Sequence, residues 1–200
     1  MSHLNEKDPR VIRTRNTFKE VFASLIKQKS YKDVTVTNII EVSGYNRATF
    51  YGHFKGKEEL CEWLIQDELA GLERALRFPF HFTGTIEFEK LTSSSVKVFE
   101  YVKEHYLFFD LLIEFEKVPG LDEALIKMIH ESFLNTIQFS SNFSNEEIDY
   151  HFNIYRAYGI FGLIVEWVRN KYEPSVNVMT EHLINIMNAY TPKASTKKNE

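Results

Sequence analysis

The residues best placed to do chemistry lie close together, between Thr35 and Lys57. Arg47, Thr49, Tyr51 and His53 alternate with Phe50 and Phe54, two aromatics at i, i+4 spacing. A helix over 47–54 that turns the phenylalanines inward presents a guanidinium, two hydroxyls and an imidazole on its other side. Those groups hydrogen-bond to phosphate oxygens and to base edges. Asn46 is a good N-cap for this helix. Before it, Val36, Ile39 and Ile40 give a helix over 36–43 its buried side, with Thr35 and Thr37 as candidate caps. Gly44 stands where that helix must stop, since glycine accepts the left-handed backbone of a C-terminal turn. Two short helices about a tight turn, the polar face on the second, is the layout of a helix-turn-helix with its recognition helix second.

Elsewhere the reactive residue types lack the spacing that catalysis or metal binding needs. His81, His105, His130, His151 and His182 form no H-x-x-x-H or H-E-x-x-H pattern, so no metal site is expected. The single cysteine, Cys61, follows Glu58-Glu59-Leu60; neighbouring carboxylates raise a thiol pKa, the wrong direction for a nucleophile. There is no glycine-rich phosphate loop, no G-x-S-x-G and no recognisable carboxylate pair. The expectation is a protein that is not an enzyme and has no cofactor. A helical enzyme is the remote alternative, because a fold never excludes a grafted site.

Apolar residues make up 44% of the 200, enough to core one or two domains. Net charge is −4 and unevenly spread: residues 1–60 hold eleven Lys/Arg against seven Asp/Glu, a balance of +4 that leaves −8 for the other 140. A basic end that can approach phosphate and an acidic remainder that cannot fits the motif, although chance fluctuation also produces asymmetries of this size. One cysteine allows no internal disulfide. The N-terminus lacks an apolar signal core, and no apolar run approaches the ~20 residues that span a bilayer. A soluble, cytoplasmic protein is expected.

The elements that must position the polar face read as helices throughout; no segment shows period-two alternation with hairpin turns. Val11, Phe18, Phe22, Leu25 and Ile26 mark a first helix that packs on the helix-turn-helix, with Arg10, Arg13 and Arg15 at its start either as a basic arm or as a solvated helix start. A long helix runs from Lys57 to about Leu76, with Ile65, Leu69, Leu72 and Leu76 on one face, and stops at Phe78-Pro79-Phe80. After Thr83-Gly84-Thr85 the helical periods continue: Leu91, Ser95, Val98 and Val102; an apolar stretch from Tyr106 to Phe115; then Leu125, Ile129, Phe133 and Ile137. The resulting division is a DNA-binding domain over 1–56, a connecting helix over 57–77, a larger body over 78–192 whose ligand-binding and dimerisation roles are what the family resemblance given below implies, and a disordered tail over 193–200.

The last two helices are apolar on more than one side. Ser144 and Glu147 form a capping box for a helix reaching about Asn170. Ile148, Phe152, Tyr155, Gly159 and Gly162 mark one face; Ile154, Tyr158, Phe161, Val165 and Val168 mark another. A helix with two apolar faces needs two burial partners. Two glycines inside it cost about 1 kcal/mol each, so close packing by a neighbour is implied. Pro174 punctuates, and a final helix over 178–190 carries Met179, Leu183, Ile184, Ile186, Met187 and Tyr190. These two helices read as half of an intermolecular four-helix bundle, with Ile154, Tyr158, Gly159, Phe161, Gly162, Val165, Leu183, Ile186, Met187 and Tyr190 at the interface. The alternative is two central helices of a monomer.

The run Ile39-Ile40, Ser43-Gly44-Tyr45-Asn46, Ala48-Thr49-Phe50-Tyr51-Gly52-His53-Phe54, Lys57-Glu58-Glu59-Leu60 resembles the DNA-binding signature of the TetR family of bacterial transcriptional regulators. The recognition half matches almost throughout. The turn departs, with Tyr45 for an aliphatic residue, Asn46 for serine, and Ile40 and Ser43 for alanines. Tyr158-Gly159-Ile160-Phe161-Gly162 with Trp167 also resembles the family branch that includes an activator of dihydroxyacetone-kinase genes. The resemblance implies an all-helical dimer with a three-helix head and a larger body, about nine helices in all. It implies that Thr37, Tyr51, His53 and Lys57 hold phosphates of double-stranded DNA. Arg47 is the first candidate for reading a base of a palindromic operator, with Tyr45, Asn46 and Thr49 behind it. Phe99, Tyr106, Phe109, Phe133 and Tyr155 either line an aromatic effector pocket or pack as core. A repressor released by a small molecule is the implied mode; an activator working with a partner protein is the alternative.

Overall fold

A computed structural model describes residues 8–81, 90–114, 118–135 and 146–189, and all regular structure among them is helical. Helix α1 (Pro9–Lys29) starts where the Asp8 side chain accepts from the Arg10 amide and Pro9 supplies a preformed first turn. Thr35 caps α2 (Val36–Ser43) in a reciprocal box with Asn38. That helix ends on Gly44, whose φ of 73° is left-handed and whose amide closes on the Ile40 carbonyl. Asn46 caps α3 (Arg47–His53), its Oδ1 accepting from the Thr49 amide at 2.8 Å. Helix α4 (Lys57–Arg77) follows, with Glu58 and Glu59 in its first turn and Arg74 and Arg77 in its last, each favourable to the helix dipole. Beyond two short 3-10 turns lie α5 (Val98–Glu104), α6 (Tyr106–Phe109), α7 (Leu121–Asn135), α8 (Glu146–Arg169) and α9 (Val176–Asn188).

Several boundaries differ from expectation for local reasons. Arg10, Arg13 and Arg15 sit within regular helix, not in an arm, because Asp8 and Pro9 begin α1 ahead of them. Phe78–His81 adds a 3-10 turn after α4 before the chain turns away, a place where Pro79 needs no amide donor. The period through Leu91 and Ser95 is not helix at its start: Thr92 and Ser95 cap each other in a 3-10 turn, and α5 begins only at Val98. The final helix starts at Val176, two residues earlier than its apolar pattern suggests. Thr83-Gly84-Thr85, Phe115, Ile137, Ser144, Tyr190 and the 193–200 tail lie outside the described residues.

One apolar core runs through the chain. In the head Phe18 and Phe22 of α1 meet Ile39, Phe50 and Phe54. Leu60, Leu64, Leu69, Leu72 and Leu76 carry the same core along α4 into the body, where Phe99, Phe109, Leu125, Ile129, Ile160, Ile164 and Trp167 continue it. Trp167 is held by an edge-on contact with Phe99 at 5.2 Å, and its indole N–H donates to the Pro174 carbonyl at 2.7 Å.

A buried acid interrupts this core where head and body meet. Glu68 of α4 is 4% exposed, yet both its oxygens are satisfied. Oε1 lies 2.8 Å from Lys19 Nζ; Oε2 lies 2.7 Å from His105 Nδ1 and accepts from the Tyr101 hydroxyl at 3.0 Å. Tyr101 reaches Glu68 only because residue 71 is glycine: a Cβ there would stand 2.0 Å from the tyrosine oxygen.

Candidate nucleic-acid interface

Helix α3 is anchored by Phe50, fully buried and set edge-on against Phe18 at 5.3 Å. Its exposed residues are Arg47, Ala48, Tyr51 and Gly52, spaced as one outward face. Tyr51 stands 48% exposed with its ring edge-on to Phe50 at 5.5 Å, so the core orients the ring while the hydroxyl faces solvent. The Arg47 guanidinium lies 5.9 Å from the Tyr51 ring centroid, and its Nη2 donates to Thr37 Oγ1 at 3.4 Å. Because Thr35 takes the cap of α2, Thr37 is left exposed beside Arg47. Thr37, Arg47 and Tyr51 therefore converge: a planar cation able to bond guanine O6 and N7 together, flanked by two hydroxyls that suit phosphate.

The other expected contacts are placed differently. Asn46 spends its side-chain oxygen on the helix cap, accepting from both the amide and the hydroxyl of Thr49. Tyr45 is half-buried with its ring 5.2 Å from Phe18, so the aromatic in the turn serves the head core. His53 is half-buried too. Burial, and then the Arg15 guanidinium, hold its pKa below the usual histidine value, so the imidazole is neutral near pH 7. Its Nδ1 is buried without a hydrogen-bond partner among the described residues. It can offer phosphate one N–H at most, and no charge.

Lys57 is engaged within the chain. Its ammonium donates to the carbonyls of Tyr31 at 3.0 Å, Lys32 at 3.1 Å and Val34 at 2.9 Å, and sits 4.8 Å from the Tyr31 ring centroid. A lysine has three protons to donate, and all three bind the α1–α2 loop to the start of α4. The residue expected to hold a phosphate is instead a staple of the head. Arg15 also turns inward, its guanidinium 5.5 Å from the Phe54 ring and 5.6 Å from that of Trp63. Ala48 and Gly52 are the members of the outward face that side-chain chemistry did not point to; their position one and five residues after Arg47 was the available signal.

The five aromatics considered for an effector site differ in exposure. Phe99, Phe109 and Phe133 are core residues, whereas Tyr106 is 47% and Tyr155 72% exposed. Tyr155 lies on α8 stacked with Phe152 at 5.9 Å, on a face shared with exposed Tyr158, Gly159 and Gly162. Of the other residues assigned to an interface, Ile154, Phe161, Val165 and Met187 are half-buried and Ile186 is exposed. Leu183 points into the chain's own core, as does Val168 of the second α8 face, because α9 lies against α5. Among the described residues no His/Cys/Asp/Glu group could hold a metal, and no helix is long and apolar enough to cross a membrane. Cys61 is buried, and burial, with Glu62 and Glu58 adding to it, pushes the thiol up to about 12.

Comparison with known proteins agrees with this geometry from both ends of the chain. Residues 23–63 match the family described as bacterial regulatory proteins, tetR family, and residues 89–189 match a transcriptional regulator C-terminal region. The chain is 39% identical over 64 residues to the uncharacterized HTH-type transcriptional regulator YxbF of Bacillus subtilis (strain 168), covering 32% of this chain and 17% of that one. It is 29% identical over 59 residues to DhaS of Lactococcus lactis subsp. lactis (strain IL1403), an HTH-type activator of the dhaKLM operon, covering 30% of this chain and 32% of that one. These alignments thus span less than two thirds of either relative. The fold is similar over far more: the solved structure of the dihydroxyacetone kinase operon activator DhaS aligns over 88% of this chain and 95% of its own, with a TM-score of 0.59 at 17% identity. A TetR regulator from Streptococcus agalactiae 2603V aligns over 90% and 96%, with a TM-score of 0.58 at 17% identity. Head and body each match a regulator in the same order along one chain, and the protein belongs to the TetR family of bacterial transcriptional regulators.

Proposed function

We propose that the protein acts as a homodimer on a palindromic operator, represses by occupying it, and is released when a small molecule binds the body. In this reading residues 1–56 carry DNA binding, 57–77 connect, and 78–192 dimerise and sense. The observation that carries it is the outward face of α8. Tyr155 and Tyr158 are 72% and 57% exposed, and a Cβ at Gly159 or Gly162 would meet nothing within 4 Å. Two helix-interior glycines cost about 1 kcal/mol each. Among the described residues nothing repays that cost, whereas a second copy packed on the same face about a two-fold axis does. Two heads so related enter successive major grooves, which calls for half-sites about one helical turn apart or a multiple of it.

On each half-site Arg47 reads a base, while Thr37 and Tyr51 hold backbone phosphates. An effector acts by favouring one head spacing over another, and only to the extent of its differential affinity for the two states. With Phe99, Phe109 and Phe133 buried in the core, such a molecule has to part packed core side chains. Activation is the second reading, favoured by likeness in both sequence and fold to DhaS, an operon activator.

The test is selection of bound DNA from a random pool, with the mass in solution measured alongside, for the wild type and for Tyr155→Glu combined with Tyr158→Glu. A palindrome bound by a wild-type dimer, and a monomeric variant that loses it, are expected. A variant that stays dimeric removes the α8 face from the interface. Placing the selected operator at a reporter promoter then separates repression from activation by the sign of the response.

A further inference from the structure

Helix α1 belongs to the head through Phe18 and Phe22, yet it is tied to the body at two places. At the first, Lys19 Nζ lies 2.7 Å from Asp67 Oδ2 and 2.8 Å from Glu68 Oε1. Glu68 in turn accepts from the Tyr101 hydroxyl of α5 at 3.0 Å. At the second, Lys27 Nζ is paired with Asp110 Oδ2 just after α6, and Asp110 Oδ1 accepts from the Tyr172 hydroxyl at 2.6 Å. The two joints share one design: a lysine of α1, a carboxylate, and a tyrosine hydroxyl of the body bonded to the carboxylate's other oxygen.

The tyrosines are themselves fixed. Tyr101 stacks on His105 at 4.0 Å, in the space that Gly71 leaves open. Tyr172 lies in the turn between α8 and α9, edge-on to Trp167 at 5.2 Å and with the Lys103 ammonium 4.2 Å from its ring centroid. Neither carboxylate is a loosely solvated surface partner: the side chains of Glu68 and Asp110 are 5% and 17% exposed. Ion pairs of that kind, with their remaining lone pairs occupied, fix geometry more than they add stability. Eight residues of helix separate Lys19 from Lys27, about 12 Å along the axis. A single tie would leave α1 free to pivot; two at that separation fix its direction.

We propose that these two lysine–carboxylate–tyrosine joints set the angle of the DNA-binding head on the body, with Tyr101 and Tyr172 as its positioning residues. The inference rests on the dimer-and-palindrome reading above, because head angle matters only when two heads must fit one operator. Tyr101 connects that angle to α5, and Tyr172 connects it to the end of α8, the helix assigned to the dimer. Displacement of Tyr172 takes a donor from Asp110 Oδ1, and displacement of Tyr101 leaves Glu68 Oε2 to His105 alone, so each loosens the carboxylate that its lysine holds. Heads that are loosely held must be ordered on binding, at a cost in affinity.

The experiment uses the full-length protein and its Tyr101→Phe, Tyr172→Phe and doubly substituted forms. Binding is measured to a duplex carrying both half-sites of the selected operator and to a duplex carrying one. Thermal unfolding is recorded for each variant. The expected result is cooperative unfolding, single-half-site affinity within about twofold of wild type, and a loss of about fivefold or more for the double variant on the two-half-site duplex. Equal losses on both duplexes mean that the head itself is damaged, and overturn the proposal; so does an unchanged affinity for both. Should Y101F unfold before it can be assayed, Y172F decides alone on the same two duplexes. Wild-type protein that shows no preference for two half-sites over one overturns the palindrome reading, and the joints' role in head spacing falls with it.

Discussion

Gly71→Ala tests how tightly α4 and α5 are fitted at the buried acid. The new Cβ would stand 2.0 Å from the Tyr101 oxygen and 2.5 and 2.7 Å from two ring carbons, so the aromatic ring cannot clear it by a small tilt. The ring is also confined by His105 stacked at 4.0 Å and by Phe109 edge-on at 6.2 Å. It has to swing out, losing its bonds to the Glu68 carboxylate and backbone carbonyl. A hydrogen bond to a charged group contributes about 1.5–3 kcal/mol and the aromatic pair about 0.5–1.5, while alanine in mid-helix returns about 1. With Lys19 and His105 still on Glu68, the net destabilisation is about 1–3.5 kcal/mol, which lowers the melting temperature of a chain this long by roughly 2–14 °C. The assay is urea unfolding at one fixed protein concentration, since any dimerisation makes apparent stability concentration-dependent. The decisive arm is the same substitution in a Tyr101→Ala background. With the ring gone, Gly71→Ala becomes neutral or stabilising by about 1 kcal/mol. Destabilisation of equal size in both backgrounds refutes the close-fit account.

Arg47→Ala costs about 1–3 kcal/mol of operator affinity and relaxes preference at one position per half-site; an unchanged ratio of operator to scrambled binding, read by competition titration, removes its base-reading role. Lys57→Met lowers stability, since it leaves three loop carbonyls without their donor, but leaves the slope of log affinity against log salt unaltered; a slope smaller by about one unit would restore the phosphate role. His53 has a folded pKa below its unfolded value, so the unfolded chain binds its proton first and stability drains away as pH falls through about 6.5 and below. Melting temperatures from pH 7.5 to 5.5 therefore fall less steeply in His53→Gln than in wild type, and parallel curves would show that this imidazole is not responsible.

Sequence reasoning read the local decisions and missed the distant ones. The Thr35 and Asn46 caps, the Gly44 stop and the inward Phe50 were legible because each depends on partners within four residues, where spacing fixes geometry. Lys57 was not, since its three acceptors are backbone carbonyls more than twenty residues earlier and leave no trace in residue type. For the effector aromatics the difficulty is a different one. Phe99 in the core and Tyr155 in the open share the same helical period, and period says which residues align on a face but not what covers it.

Glycines inside helices carry more of that missing information, because each costs about 1 kcal/mol and so requires a compensating contact somewhere. Gly71 finds its compensation within the chain, where Tyr101 fills the place of a side chain. Among the described residues Gly52, Gly159 and Gly162 find none: apart from chain neighbours and their own helix backbone, nothing lies within 4 Å of a Cβ built on them. Gly52 lies on the outward face of α3 beside Arg47 and Tyr51, the face assigned to DNA in the proposed function. Gly159 and Gly162 lie beside Tyr155 and Tyr158 on the face of α8 assigned to a second copy. In both places the described residues offer no compensating contact, and these are the two faces proposed above for a close approach, one to the operator and one to a second copy.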